Sequence, residues 1–139
     1  MRRTNRANQR GQGAIEGVLV LTVLLAIVIA ILDFGQMMFL HQTLGERARA
    51  AARHAGLHPT DTDGARNLVL YGNTTAPNGS PAGFWGLTPA QVNIARVNVD
   101  SNEESMVVTI SGYQFKFFSL WISGSVRGKP IVASSPVET

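Results

Sequence analysis

The chain has 139 residues, room for one modest domain beside a hydrophobic segment. A net charge of +3 and a pI near 10.0 invite a nucleic-acid reading, but the charge is confined to one end. Arg2, Arg3, Arg6 and Arg10 precede an apolar run with no acid among them, and taking these four from the 12 basic residues leaves eight against 9 acidic ones. The basic charge therefore belongs to a leader and not to a nucleic-acid-binding face. There is no cysteine, which excludes a disulfide framework, a cysteine-ligated metal and a thiol nucleophile.

From Gly17 to Leu32 the chain is uncharged and mostly Val, Leu and Ile. As a helix this run is about 24 Å long, at ~1.5 Å per residue. A bilayer core needs about 30 Å. Continuing through Asp33, Phe34 and Gly35 to Leu40 supplies the missing length and takes Asp33 into or near the membrane. A charge at the centre of a spanning helix costs roughly 2.5–3.5 kcal/mol on insertion scales, and less toward an interface. Arginines before the run, with no matching cluster just after it, predict a cytoplasmic N-terminus and an external C-terminus. A cleaved secretory signal competes for the same residues, but no small-residue cleavage site follows the run.

The helical pattern continues beyond the apolar run. Phe34, Met37, Met38, His41, Leu44, Ala48, Ala51, Ala52 and Ala55 recur at three- and four-residue spacing. Glu46, Arg47, Arg49 and Arg53 form a polar face, with Glu46 and Arg49 spaced as an i,i+3 pair. Gly56 suits the position just past a helix end, and Pro59 follows. The expectation is one helix from about Ala14 to Ala55, roughly 60 Å long. Half of it spans the membrane and half seeks a partner surface.

A small α+β region follows. The stretch 61–73 reads as a short helix with Asp61 or Asp63 near its start, Gly72 at its end, and Leu68, Val69 and Tyr71 facing inward. Residues 74–83 are a Gly/Pro/Asn-rich loop. Thr88 and Pro89 suit the N-cap and first position of one helical turn. Residues 92–99 alternate as a strand, with the phase disturbed at Ala95 and Arg96. A second strand is expected over 106–115 and a third within 124–137, with Pro130 at a strand start or edge. Three antiparallel strands leave one face to be covered, and the alanine-rich half of the long helix is the available cover. The fold class expected is α+β, a long N-terminal transmembrane and amphipathic helix packed on a small antiparallel sheet.

Phe115, Phe117, Phe118, Leu120, Trp121 and Ile122 form a dense apolar patch, either domain core or a surface resting on the membrane or a neighbouring subunit. His41, His54 and His58 are the 3 histidines, and solvated or lightly packed roles suit them better than metal ligation. Asp61 and Asp63 lack the further ligands of a calcium loop. Asn73 and Asn78 open sequon-like triplets in a polar loop, a weak pattern. Nothing resembles a phosphate cradle or a nucleophile–base pair, so no catalytic residue, cofactor or metal is assigned.

Glu16 is the residue that a plain anchor does not need. A basic leader, Gly11, then Glu16 five residues on and an apolar helix together resemble a type IV prepilin. More closely, residues 11–39 resemble the TadE-like proteins of tight-adherence (Flp-type) pilus systems. The likeness rests on the small-residue/Glu opening, the hydrophobic run and the motif Asp33-Phe34-Gly35. It continues through the alanine- and arginine-rich stretch 47–56, and at pattern level to the Tyr113-x-Phe115 strand and the final strand at 131–135. Gly17 departs from the family, which has a bulky apolar or aromatic residue after the glutamate.

The resemblance implies a non-enzymatic pilin-like protein (a minor pilin or pseudopilin). A prepilin peptidase would cut between Gly11 and Gln12, dividing the chain into a leader at 1–11, a transmembrane half-helix at 12–40 and a periplasmic α+β domain at 41–139. Glu16 would set assembly register by pairing with the new amine of a neighbouring subunit, each charge offsetting the other's burial. Asp33, Phe34 and Gly35 would be a membrane-embedded motif. Implied partners are the peptidase, other pilin or pseudopilin subunits, the pilus assembly platform and the bacterial inner membrane. The protein would cross that membrane once and either stay there or enter a surface pilus. Two other readings stay open: a pseudopilin of another secretion system, or a membrane-anchored extracytoplasmic binding or hydrolase domain.

Overall fold

The computed structural model describes residues 6–79, 81–99, 103–117 and 125–137. Its first element, α1 (Arg6–Leu57), is a single helix of 52 residues. That is about 78 Å at ~1.5 Å per residue. It is longer than the sequence suggests at both ends, because no proline interrupts it before Pro59. Gly56 does not end it. The helix runs through Gly56, whose bare backbone lies against the last strand: a Cβ there would come within 2.5 Å of the Pro136 carbonyl and 3.0 Å of the Ser135 hydroxyl. Close packing, and not a helix cap, is the reason for glycine at this position. Arg49 donates to the Gly45 carbonyl at 3.2 Å instead of pairing with Glu46.

The second helix, α2 (Thr62–Tyr71), has both of its sequence-predicted ends. The Asp61 carboxylate accepts from the Gly64 N–H at 2.9 Å, satisfying one of the helix's open donors. Gly72 takes the left-handed conformation at φ 76° and donates to the Leu68 carbonyl. The buried face is Gly64, Ala65, Val69 and Leu70. Leu68 and Tyr71 are only half-buried, against expectation. Tyr71 turns its hydroxyl outward to donate to the Pro81 carbonyl at 3.0 Å, so Leu70 takes the inward position.

Two short 3-10 turns, Phe84–Gly86 and Pro89–Gln91, lead into the strands. The main sheet is antiparallel in the order β1-β2-β5, with β1 at Val92–Val97, β2 at Ser105–Ile110 and β5 at Ile131–Pro136. Ile94, Val108 and Ala133 stand in one row across it. A separate pair, β3 (Gln114–Lys116) and β4 (Ser125–Arg127), forms a second sheet. The sequence suggested one strand over 106–115. Gly112, at φ 71°, divides it. The expected third strand is likewise divided into β4 and β5.

The three-stranded sheet has a clear inside. Along β2, Met106, Val108 and Ile110 are buried and alternate with half-buried residues. Leu40, Leu44, Ala48, Ala51, Ala52 and Ala55 of α1 are buried in the same unit. Three- and four-residue spacing puts these on one stripe, and the alanines let backbones approach closely. Each fully buried leucine contributes roughly 1.5–3 kcal/mol. The α+β class expected from the sequence is the one observed. Compactness divides the chain between Gln36 and Met37 into an apolar helical unit and a unit that carries both sheets. Leu40 belongs to the second of these.

Candidate membrane and assembly surface

In the first unit every large apolar side chain from Ile15 to Leu32 that faces outward is exposed, from 72% at Ile15 to 36% at Ile29. The exposure runs around the whole helix and not along one stripe. A helix apolar on all sides belongs in a membrane or inside a bundle. It is long and apolar enough to cross a membrane. Thr22, the one hydroxyl between Ile15 and Leu32, donates back to the Val18 carbonyl at 2.8 Å, which hides the polar group within the helix.

Gly11 and Gln12 lie within α1, one turn before Glu16. All three are exposed, and open space surrounds Gly11, Gly13 and Gly17. The Glu16 carboxylate meets no hydrogen-bond or ion-pair partner among the described residues. Asp33 is the opposite case. It is 7% exposed, the one buried charged residue among those described, and its own chain provides the cover. Phe34 and Gly35 beside it are exposed. The two carboxylates stand 17 residues apart, about 26 Å along the axis at ~1.5 Å per residue. They bracket the uncharged run, one bare and one covered.

In the second unit α1 makes three polar contacts that its sequence pattern does not announce. Arg47 Nη1 donates to the Val69 and Leu70 carbonyls at 3.1 and 3.2 Å, closing the end of α2. The same guanidinium lies 4.2 Å over the Phe84 ring, and burial lowers its pKa. His41 Nδ1 sits 3.4 Å from the Tyr113 hydroxyl, which donates to the Lys129 carbonyl at 2.8 Å. Burial pushes the Tyr113 pKa up. His54 Nε2 donates to the Asp61 carboxylate at 2.9 Å and its ring stacks on His58 at 4.9 Å. The His54 bond and the Gly64 N–H together hold the Asp61 pKa below its ordinary value. His54 and His58 come together because α1 continues through Gly56, contrary to the expected interruption there. Among the described residues no group of three or more His, Asp or Glu side chains is placed to hold a metal ion.

A cleft of about 490 Å³ opens beside Leu40 and Leu44, lined also by Trp85, Leu87, Gln91 and Tyr113. Trp85 was not singled out in the sequence. The Gly83-Phe84-Trp85-Gly86 string, two aromatics between two glycines, was the available signal. In the apolar patch at 115–122, Phe115 is buried and stacks edge-on with Tyr113 at 5.4 Å, and Phe117 is half-buried. Phe118, Leu120, Trp121 and Ile122 lie outside the described residues.

Residues 11–53 match the family of TadE-like proteins. The match covers the exposed apolar helix, Glu16, the Asp33-Phe34-Gly35 motif and most of the alanine stripe. No curated protein and no solved structure matches the chain.

Proposed function

We propose that the protein is a single-pass, pilin-like subunit that works in building a bacterial tight-adherence pilus. The observation that carries the proposal is one helix with two characters inside the TadE-like segment. Its first part is exposed and apolar on every side, with Glu16 near the start and without a partner among the described residues. Its second part is the alanine-faced half of a domain core. Such a helix holds a small domain to a membrane or bundle and offers one carboxylate to a neighbour.

The processing step follows from the leader. A prepilin peptidase cuts between Gly11 and Gln12, removing the four arginines and leaving an amine one turn before Glu16. The positive charge ahead of the apolar run falls from four arginines to one amine. The new ammonium adds to the positive end of the helix dipole, and a carboxylate near that end is stabilised, typically by 0.3–1 kcal/mol when exposed. In a bundle of such helices, Glu16 pairs with the amine of the next subunit, which fixes the axial offset between them. The leader arginines keep the N-terminus in the cytoplasm, and the sheet domain faces the periplasm. The other readings, a pseudopilin of another secretion system and an anchored hydrolase, draw no support from a particular residue or contact.

Sequencing the N-terminus of the protein, purified from cells that carry the peptidase, tests this reading. The expected mature start is Gln12. Gly11→Val should leave the leader attached, because a branched side chain does not fit a scissile position shaped for glycine. An intact leader on the wild-type chain in those cells would overturn the proposal.

A further inference from the structure

Trp85 stands where the backbone favours a different residue. It is left-handed at φ 56°, and Gly86 after it is left-handed at φ 77°. For a bulky side chain that conformation is an outlier, and it persists only where the surroundings impose it. Here they form a clamped turn. Gly83 N–H donates to the Leu87 carbonyl at 3.0 Å, and Gly86 N–H donates to the Gly83 carbonyl at 2.9 Å. Gly83 is buried, and a Cβ on it would strike Leu70 and the Leu87 carbonyl, each at 2.8 Å. Glycine or asparagine would fill the Trp85 position with less strain. The indole is nevertheless there, 48% exposed, with the Phe84 ring beside it at 6.3 Å and tilted by 48°. A strained backbone that carries a partly exposed ring marks a candidate binding site.

Trp85 lines the cleft of about 490 Å³, within the ~300–1,000 Å³ range of small-molecule sites. The buried Leu40 and Leu44 line it too. Every lining residue belongs to the sheet-bearing unit, so the geometry of the cleft is internal to that unit. Its polar groups differ in what they have left to give. Gln91 is committed at both ends: its Oε1 accepts from Thr88 N–H at 2.8 Å and its Nε2 donates to the Gly112 carbonyl at 2.7 Å. The Tyr113 hydroxyl donates to Lys129, and its residue is only 4% exposed. Gln114 is exposed, and its amide has no hydrogen-bond partner among the described residues. No charged side chain lines the cleft.

We infer that this cleft binds a neutral pyranose sugar, stacked on the Trp85 indole and hydrogen-bonded through its hydroxyls to the Gln114 amide. The chemistry of the lining disfavours the other classes in turn. An anion meets no cation there, and a cation meets no carboxylate. A wholly apolar ligand would cover the Gln114 amide without pairing it, which costs free energy. A proline-rich segment docks in a groove lined by aromatic rings, and with Tyr113 buried the cleft exposes one ring. A pyranose supplies what the cleft lacks. One face of it is a set of C–H bonds, which rest on the electron-rich face of an indole. Its rim is hydroxyls that both donate and accept, as the glutamine amide does. The inference is independent of the pilus and membrane readings, and it gives the sheet-bearing unit a glycan-binding function of its own.

The test uses the full chain in deuterated dodecylphosphocholine micelles, a detergent without a sugar headgroup. Saturation-transfer NMR is read on diacetylchitobiose, on cellobiose, on the open-chain polyol sorbitol and on a polyproline peptide. The expected result is saturable transfer to the ring C–H protons of at least one disaccharide, and none to sorbitol. Preference for diacetylchitobiose assigns the site to amino-sugar glycans, and preference for cellobiose to plain hexose glycans. Trp85→Ala should abolish the transfer. Gln114→Ala should weaken binding by roughly 2–10-fold, the worth of one neutral hydrogen bond. Gln114 makes no bond that the fold needs, so this variant carries the test even if Trp85→Ala fails to fold. Absence of transfer from the folded wild type to both disaccharides overturns the site. So does binding that neither Trp85→Ala nor Gln114→Ala alters. Equal transfer to sorbitol would reduce the contact to a non-specific one, and transfer to the peptide alone would show an extended chain in the cleft and not a sugar.

Discussion

Glu16 and Gly56 show how differently single residues on one helix are constrained. Gly56 is held by its surroundings: any side chain there would displace the Ser135–Pro136 end of β5. Glu16 is exposed, with open space at its neighbours Gly13 and Gly17 and no partner among the described residues, so nothing described in the protomer constrains it. If its partner is a neighbour's amine in an apolar bundle, Glu16→Ala leaves a buried ammonium unpaired. Removing one member of a buried pair costs roughly 3–5 kcal/mol, enough to lower association by orders of magnitude. Cleavage and insertion should persist, because the scissile bond is a turn away and the helix becomes more apolar. The expected outcome is a cleaved, membrane-resident protein absent from assembled pili or unable to support them. Glu16→Asp should be intermediate, its charge kept and its reach shortened. Immunoblots of sheared pili and membranes separate these outcomes. Normal piliation with Glu16→Ala would show that the carboxylate is only tolerated.

At the level of elements, the junction of α1 and α2 is controlled by one carboxylate with two tasks. Asp61 caps α2 through Gly64 and ties α1 to the turn through His54. Both bonds favour the ionised form, and its pKa is lowered. The stabilisation is therefore present above the carboxylate's unfolded value and is lost as pH falls through the lower folded one, below about pH 3.9. Asp61→Asn keeps an acceptor for the cap but loses the charge, whereas Asp61→Ala loses both. Near neutral pH the melting temperatures should rank wild type, then Asp61→Asn, then Asp61→Ala. Below the folded pKa the wild type should converge on Asp61→Asn. Thermal melts followed by circular dichroism at pH 6 and pH 3 check this, and an unchanged gap at the lower pH would contradict the ionic role.

On the scale of the whole molecule, the membrane-seeking surface and the folded core share α1 but not its residues. The core takes Leu40, Leu44, Ala48, Ala51, Ala52 and Ala55, and the compact unit holding them begins at Met37. A fragment starting at Met37 should fold, with cooperative melting and dispersed amide signals. It should also be far more soluble than the full chain, having lost the exposed run from Ile15 to Leu32. A fragment starting at His58 removes the cover from Met106, Val108 and Ile110 and should not fold. Cooperative unfolding of the shorter fragment would show that the sheet does not depend on the helix.

The sequence by itself determined what depends on neighbours along the chain. The long helix, its all-round apolar first part and the alanine stripe follow from periodicity, and both ends of α2 follow from Asp61 and Gly72. The TadE-like likeness was also local, resting on Gly11, Glu16 and Asp33-Phe34-Gly35 in the segment later matched. The tertiary structure decided what depends on distant chain. It turned Gly56 from a helix end into a contact with β5, and it placed Leu70 inside and Tyr71 at the rim. It divided the expected strands at Gly112 and before Ile131, and it covered Asp33 while leaving Glu16 bare. Periodicity reports which face of an element is apolar. Only packing reports which backbone must approach closely.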